Sequence, residues 1–101
     1  MAEQALVIDP RDSVAVAVEE LAAGSICTVR VGDDPVTLEI AERIPFGHKF
    51  ALCPIARGEN VIKYGEVIGE ATADIGPGAW VHVHNVVSRR AKERVREGVG
   101  E

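Results

Sequence analysis

A chain of 101 residues is one domain with room for one modest core. Hydrophobic residues make up 47% and aromatics only 4%, so Val, Ile, Leu and Ala must fill that core, which favours β structure. The net charge of −5 argues against a general nucleic-acid binder, and no apolar run approaches the ~20 residues that cross a bilayer.

Along the chain, short apolar runs alternate with turn signals. "ALVI" (5–8) stops at Asp9-Pro10, and "VAVAV" (14–18) leads into an acidic stretch and Gly24. "ICTVRV" (26–31) meets "GDDP" (32–35), a strong turn because Gly, Asp and Pro each favour bent backbone. "VTLEI" (36–40) alternates cleanly and precedes "IPFG" (44–47), after which "HKFAL" (48–52) is closed by Pro54. "VIKY" (61–64) and "VIGEAT" (67–72) flank Gly65-Glu66; "DIGPG" (74–78) then turns the chain into "AWVHVHNV" (79–86).

Turn signals every eight to twelve residues describe an all-β domain of short strands over 1–87, with no internal repeat evident. Residues 88–101 carry five basic and three acidic groups, a basic tail (+2) on a body of −7. Within it "SRRAKERVRE" (88–97) is helix-compatible but has little apolar face beyond Ala91 and Val95. Cys27 and Cys53 have neither zinc-like spacing nor the density of a secreted disulfide scaffold, and each reads as a small buried side chain. The N-terminus lacks the charged region and apolar core of a signal peptide, so a cytoplasmic protein is expected.

Three stretches can carry chemistry. If "AWVHVHNV" is a strand, Trp80, His82 and His84 share one face and Val81, Val83 and Asn85 the other. Two imidazoles so placed can meet one metal ion or one anion, but two ligands do not complete a metal site; His48, an acidic residue or another chain would have to contribute. A solvent-facing strand edge is the competing reading. In "IPFGHKF", His48 and Lys49 follow a glycine turn, where a carboxylate can be received, although a solvated turn explains the same residues. In "GENVIKYGEVIGEAT", Lys63 and Tyr64 point to opposite faces unless Gly65 bends the strand. Gly58, Gly65 and Gly69 suit bends or bulges, and Glu59, Glu66 and Glu70 can supply a carboxylate, with solvated positions as the commoner use. There is no phosphate-binding glycine loop, nucleophile–base pair or zinc-protease pattern.

"IPFGHKFAL", "GENVIKYGEVIGEAT" and "GAWVHVHNV", in that order, closely resemble the small N-terminal domain of the altronate/galactarate dehydratase family. The family includes sulfolactate sulfo-lyase, whose small subunit is a separate chain of about this size. "DSVAVAVEELAAG" (12–24) resembles the opening of the SAF domain, a β-clip fold, so the likeness spans roughly 12–87. It implies the small subunit of a hydro-lyase that converts a sugar acid to a 2-keto-3-deoxy acid together with a large catalytic subunit. This chain alone would be inactive. It further implies a divalent metal, iron or manganese, held mainly by the large subunit. On the matching positions, His48, His82 and His84 are the catalytic candidates, with His82 and His84 also the metal candidates. Lys49, Lys63 and Asn85 are the substrate-binding candidates, Asn85 having strand capping as its other use. The alternative is a non-catalytic SAF-type binding or structural module for a sugar acid or a partner protein. Nucleic acid and membrane are not expected partners, and self-association stays open.

Overall fold

The computed structural model describes residues 4–88, so the expected helix over 88–97 lies, but for Ser88, outside the described residues. Nine strands form among the described residues: β1 (Ala5–Leu6), β2 (Val14–Ala17), β3 (Ile26–Val31), β4 (Asp34–Glu39), β5 (Lys49–Ala51), β6 (Asn60–Lys63), β7 (Glu66–Ala71), β8 (Trp80–Val81) and β9 (Val86–Ser88). All pairings are antiparallel, in a β1-β2-β5-β8 sheet, a β3-β4 hairpin and a β6-β7-β9 sheet. The described residues contain no helix, and the all-β expectation holds.

The four-stranded sheet separates two apolar clusters. Ala15, Ala17 and Phe50 face one with Leu21, Cys27, Val29, Ile40 and Ile44; Val14, Ala51 and Val81 face the other with Ile55, Val61, Ala71 and Ile75. Covering both faces explains why "VAVAV" is apolar throughout instead of alternating. The β3-β4 hairpin buries one face only: Cys27 and Val29 point inward, while the Thr28 and Thr37 hydroxyls meet at 3.1 Å outside.

An internal repeat, unexpected from the sequence, organises the connections. Residues 17–24, 40–47, 51–58 and 71–78 each begin on a buried residue (Ala17, Ile40, Ala51, Ala71). Each buries its fifth residue (Leu21, Ile44, Ile55, Ile75) and ends on Gly24, Gly47, Gly58 or Gly78 at φ 82, 81, 90 and 80°. The residue after each glycine donates its N–H to the carbonyl three back, at 2.9 to 3.1 Å, closing a turn whose third position requires positive φ. The units pair reciprocally. Leu21 and Ile44 exchange backbone bonds at 2.9 Å, as Gly24 N–H reaches Ile40 O and Gly47 N–H reaches Ala17 O; Ile55 and Ile75 repeat the arrangement at 2.8 Å.

Three smaller expectations are corrected. The β3-β4 turn is only Gly32-Asp33, and Pro35 lies within β4, where a two-stranded sheet leaves its missing N–H unneeded. Tyr64 and Gly65 form the two-residue β6-β7 turn at φ 56 and 73°, so Tyr64 is not a strand residue facing away from Lys63; the Lys63 ammonium lies 4.6 Å from the centre of its ring. Cys27 is buried as expected, but Cys53 is exposed because it precedes Pro54 in the repeat's outer bend. Among the three glycines expected to bend, Gly58 closes a repeat turn, Gly65 the hairpin, and Gly69 sits where the β9 backbone crosses closely. A Cβ at Gly69 would lie 2.5 Å from Val87 O, and the register slips opposite it between Val61 and Ile62.

Candidate functional site

The β5-β8 ladder brings the two histidine stretches together. Lys49 pairs with Val81 and Phe50 with Trp80, so His48 and His82 are neighbours one step further on, with ring centroids 4.9 Å apart. The strand then ends. Residues 82–85 form a turn, contrary to the continuous strand expected over 79–86. Asn85 is the physical reason: its Oδ1 accepts the His82 N–H at 2.9 Å and its Nδ2 donates to Trp80 O at 2.8 Å, while its own N–H donates to His82 O at 3.1 Å.

That turn folds the imidazoles onto the indole. His82 stacks on Trp80 with centroids 5.3 Å apart and planes within 6°; His84 packs on Trp80 at 5.1 Å, tilted 46°. Trp80, His82 and His84 therefore share one place, as strand alternation predicted, but a turn produces the grouping. Trp80 Nε1–H donates to His48 Nδ1 at 3.1 Å, with those rings 5.5 Å apart. The backbone N–H of Trp80 is taken by Glu42 Oε2 at 3.2 Å. Sequence reasoning did not single out Glu42, and only the β5-β8 geometry identifies it.

The local field is positive. Partial burial, then the charges of His48, Lys49 and His84, push the His82 pKa below its ordinary value. Burial and the Lys63 charge lower Lys49 in the same way. Lys63, Lys49 and His82 thus form a run in which each positive charge makes the next group harder to protonate, on a chain whose net charge is −5. Such a run stabilises an anion by Coulomb attraction and hydrogen-bond donation. Two acidic residues of the third stretch have places of their own: Glu59 Oε1 accepts Ala56 N–H at 3.0 Å in a repeat turn, and Glu66 is exposed directly opposite Lys63 in the hairpin.

The fit to a metal ion is poor. Among the described residues, no group of three or more His, Cys, Asp or Glu side chains is arranged to hold one. A neutral imidazole has a single ring lone pair, and that of His48 already accepts the Trp80 N–H at Nδ1. His82 and His84 are left as a pair on either end of an indole contact, which is short of a coordination sphere.

Residues 3–89 match the family described as the altronate/galactarate dehydratase SAF domain. The chain is 48% identical over 82 residues to altronate dehydratase of Escherichia coli, covering 81% of this chain and 16% of that protein. It is 43% identical over 88 residues to the (2R)-sulfolactate sulfo-lyase subunit alpha of Chromohalobacter salexigens, covering 84% of this chain and 94% of that one. The corresponding subunit alpha of Paracoccus pantotrophus is 38% identical over 65 residues, 64% of this chain and 97% of that one. The chain thus spans a small part of the dehydratase and nearly all of either sulfo-lyase subunit. Among the described residues, no helix is long and apolar enough to cross a membrane.

Proposed function

The chain belongs to the altronate/galactarate dehydratase SAF-domain family, and from that premise we propose that it is the small subunit of a hydro-lyase. With a separate large catalytic subunit, the enzyme would dehydrate an altronate- or galactarate-like sugar acid to a 2-keto-3-deoxy acid. The separate-subunit part draws on the two sulfo-lyase relatives, which are named as subunits and match over nearly their whole length. The substrate part draws on the altronate dehydratase relative and on the charge of the site.

One observation carries the reading: His48, His82 and His84 gather on Trp80 beside Lys49, itself repelled by Lys63. Dehydration of a hydroxy acid begins with removal of the proton next to the carboxylate. That proton becomes acidic enough only when charge developing on the carboxylate oxygens is stabilised. The lysine and imidazole N–H groups are donors for that purpose. His82, biased towards its uncharged form, can also accept a proton. A divalent metal, where the reaction uses one, belongs to the large subunit on this reading. The alternative of a module that binds the acid without acting on it rests on the same donor set.

Co-expression with the candidate large subunit tests the proposal. Water elimination from sugar acids should require both chains, and the His82→Ala/His84→Ala pair should lower kcat/KM by at least about a hundredfold, the lower end for an acid–base group. Full activity in the double variant, or no large partner on co-purification, sinks it. A change confined to KM favours the binding module.

A further inference from the structure

We infer that Trp80 is a positioning residue that fixes His48 in the tautomer with its proton on Nε2, so that His48 meets the substrate carboxylate as a hydrogen-bond donor and not a metal as a ligand. The inference deepens the function proposed above and rests on it for the identity of the anion.

The argument begins with lone pairs. An indole N–H is a donor only, so the 3.1 Å contact from Trp80 Nε1 to His48 Nδ1 has one polarity. With Nδ1 accepting, the single hydrogen of the neutral ring must sit on Nε2. Donation at Nδ1 is what usually prepares a histidine to bind a metal through Nε2; here the partner has the opposite sense and prepares Nε2–H to donate. The absence of a three-residue metal-binding group among the described residues agrees with that polarity.

Trp80 is itself held so that its N–H can have no other role. Its carbonyl accepts Asn85 Nδ2, its backbone N–H is taken by Glu42, and its ring is stacked by His82 at 6°. It pairs across the ladder with Phe50, which is fully buried, so its backbone does not shift freely. His48 thus presents a fixed Nε2–H, a donor suited to one oxygen of a carboxylate.

The test has one arm on the full chain alone and one on the assembled enzyme. In the ¹⁵N-labelled chain, the nitrogen–nitrogen coupling across the Trp80 Nε1–H···Nδ1 His48 bond should be visible, with the His48 proton on Nε2. Trp80→Phe, which keeps a ring for stacking, should abolish the coupling. In the complex, Trp80→Phe should raise KM for altronate about fivefold, as for the loss of one neutral hydrogen bond, with kcat and metal content unchanged. His48→Gln, which retains an N–H near the Nε2 position, should keep more activity than His48→Ala. A His48 proton on Nδ1, metal lost from either His48→Ala or Trp80→Phe, or His48→Gln no better than His48→Ala overturns the inference. A complex inactive on every hydroxy acid instead overturns the function proposed above, while the coupling still decides the tautomer.

Discussion

Asp12 Oδ1 accepts the backbone N–H of Gly65 at 2.8 Å, tying the loop before β2 to the β6-β7 hairpin turn. Asp12 is only 8% exposed, and its Oδ2 also takes the Asp9 N–H at 3.3 Å. The bond holds the Tyr64-Gly65 turn, and with it the end of β6 that carries Lys63. Replacing Asp12 with Ala strands two donors and should cost about 1–3 kcal/mol. Urea midpoints measure the cost, and amide exchange at Gly65 should accelerate. A variant with an unchanged midpoint and unchanged Gly65 protection would show that the carboxylate does not hold the turn.

The repeat supplies a paired comparison. Gly24 and Gly78 occupy the same place in two units, at φ 82 and 80°, so Ala at either position meets the same backbone penalty, about 1–2 kcal/mol. Their surroundings differ. A Cβ at Gly24 has nothing within 4 Å, whereas one at Gly78 lies 2.1 Å from Glu39 O and 3.0 Å from Ala41 N. Those atoms are backbone and cannot swing aside; Ala41 N–H in addition donates to Gly78 O at 3.0 Å. Gly78→Ala should therefore destabilise by about 1–3 kcal/mol more than Gly24→Ala, as for overpacking. Equal urea midpoints for the two variants would contradict the close approach.

The strands were largely legible because branched apolar runs and turn residues are local signals, and "ICTVRV", "VTLEI" and "VIGEAT" all contribute strands. The repeat was not, because its four copies share only a buried start, a buried Leu or Ile, and a terminal glycine. The intervening residues share no type across all four copies, as Glu19, Glu42, Cys53 and Ala73 show at the third position. At the site, alternation correctly grouped Trp80 with His82 and His84 for the wrong reason. The turn that does it depends on the Asn85 amide reaching back to Trp80 and His82, a contact that strand periodicity does not encode. The family resemblance grouped His48 with His82, but spacing could not, since their nearness follows from the β5-β8 register across 34 positions of chain.

Asn85 closes the 82–85 turn with both ends of its amide, so its two neighbours in shape should separate the roles. Asn85→Asp keeps an acceptor for the His82 N–H but places a second carboxylate oxygen against Trp80 O. Asn85→Ala removes both bonds and should cost about 1 kcal/mol or more, with the Trp80–His82 stack loosened. Trp80 fluorescence, quenched differently once His82 leaves the ring, follows the change, and thermal unfolding gives its cost. If Asn85→Asp matches the wild type in both, the Nδ2 bond to Trp80 O contributes nothing.

His82 ties the site's charge to pH. Burial, the charge of Lys49, and repulsion from the His48 and His84 rings whenever these are protonated hold its folded pKa below the ordinary 6.5. As pH falls, the unfolded chain therefore takes up a proton at this position before the folded chain does. Its contribution to stability is complete above about pH 6.5 and is lost as pH falls from there through the folded pKa. Removing a repelling neighbour should reverse part of the shift: Lys49→Met should raise the His82 pKa, read from its ring resonances across pH 5–8. A bound carboxylate should raise it as well, because it stabilises the imidazolium. The two effects are separable, since the first needs no ligand. A His82 that titrates at or above 6.5 in the unliganded chain, or that ignores Lys49→Met, would mean that the cations do not act on one another and that the site is not a concentrated positive field.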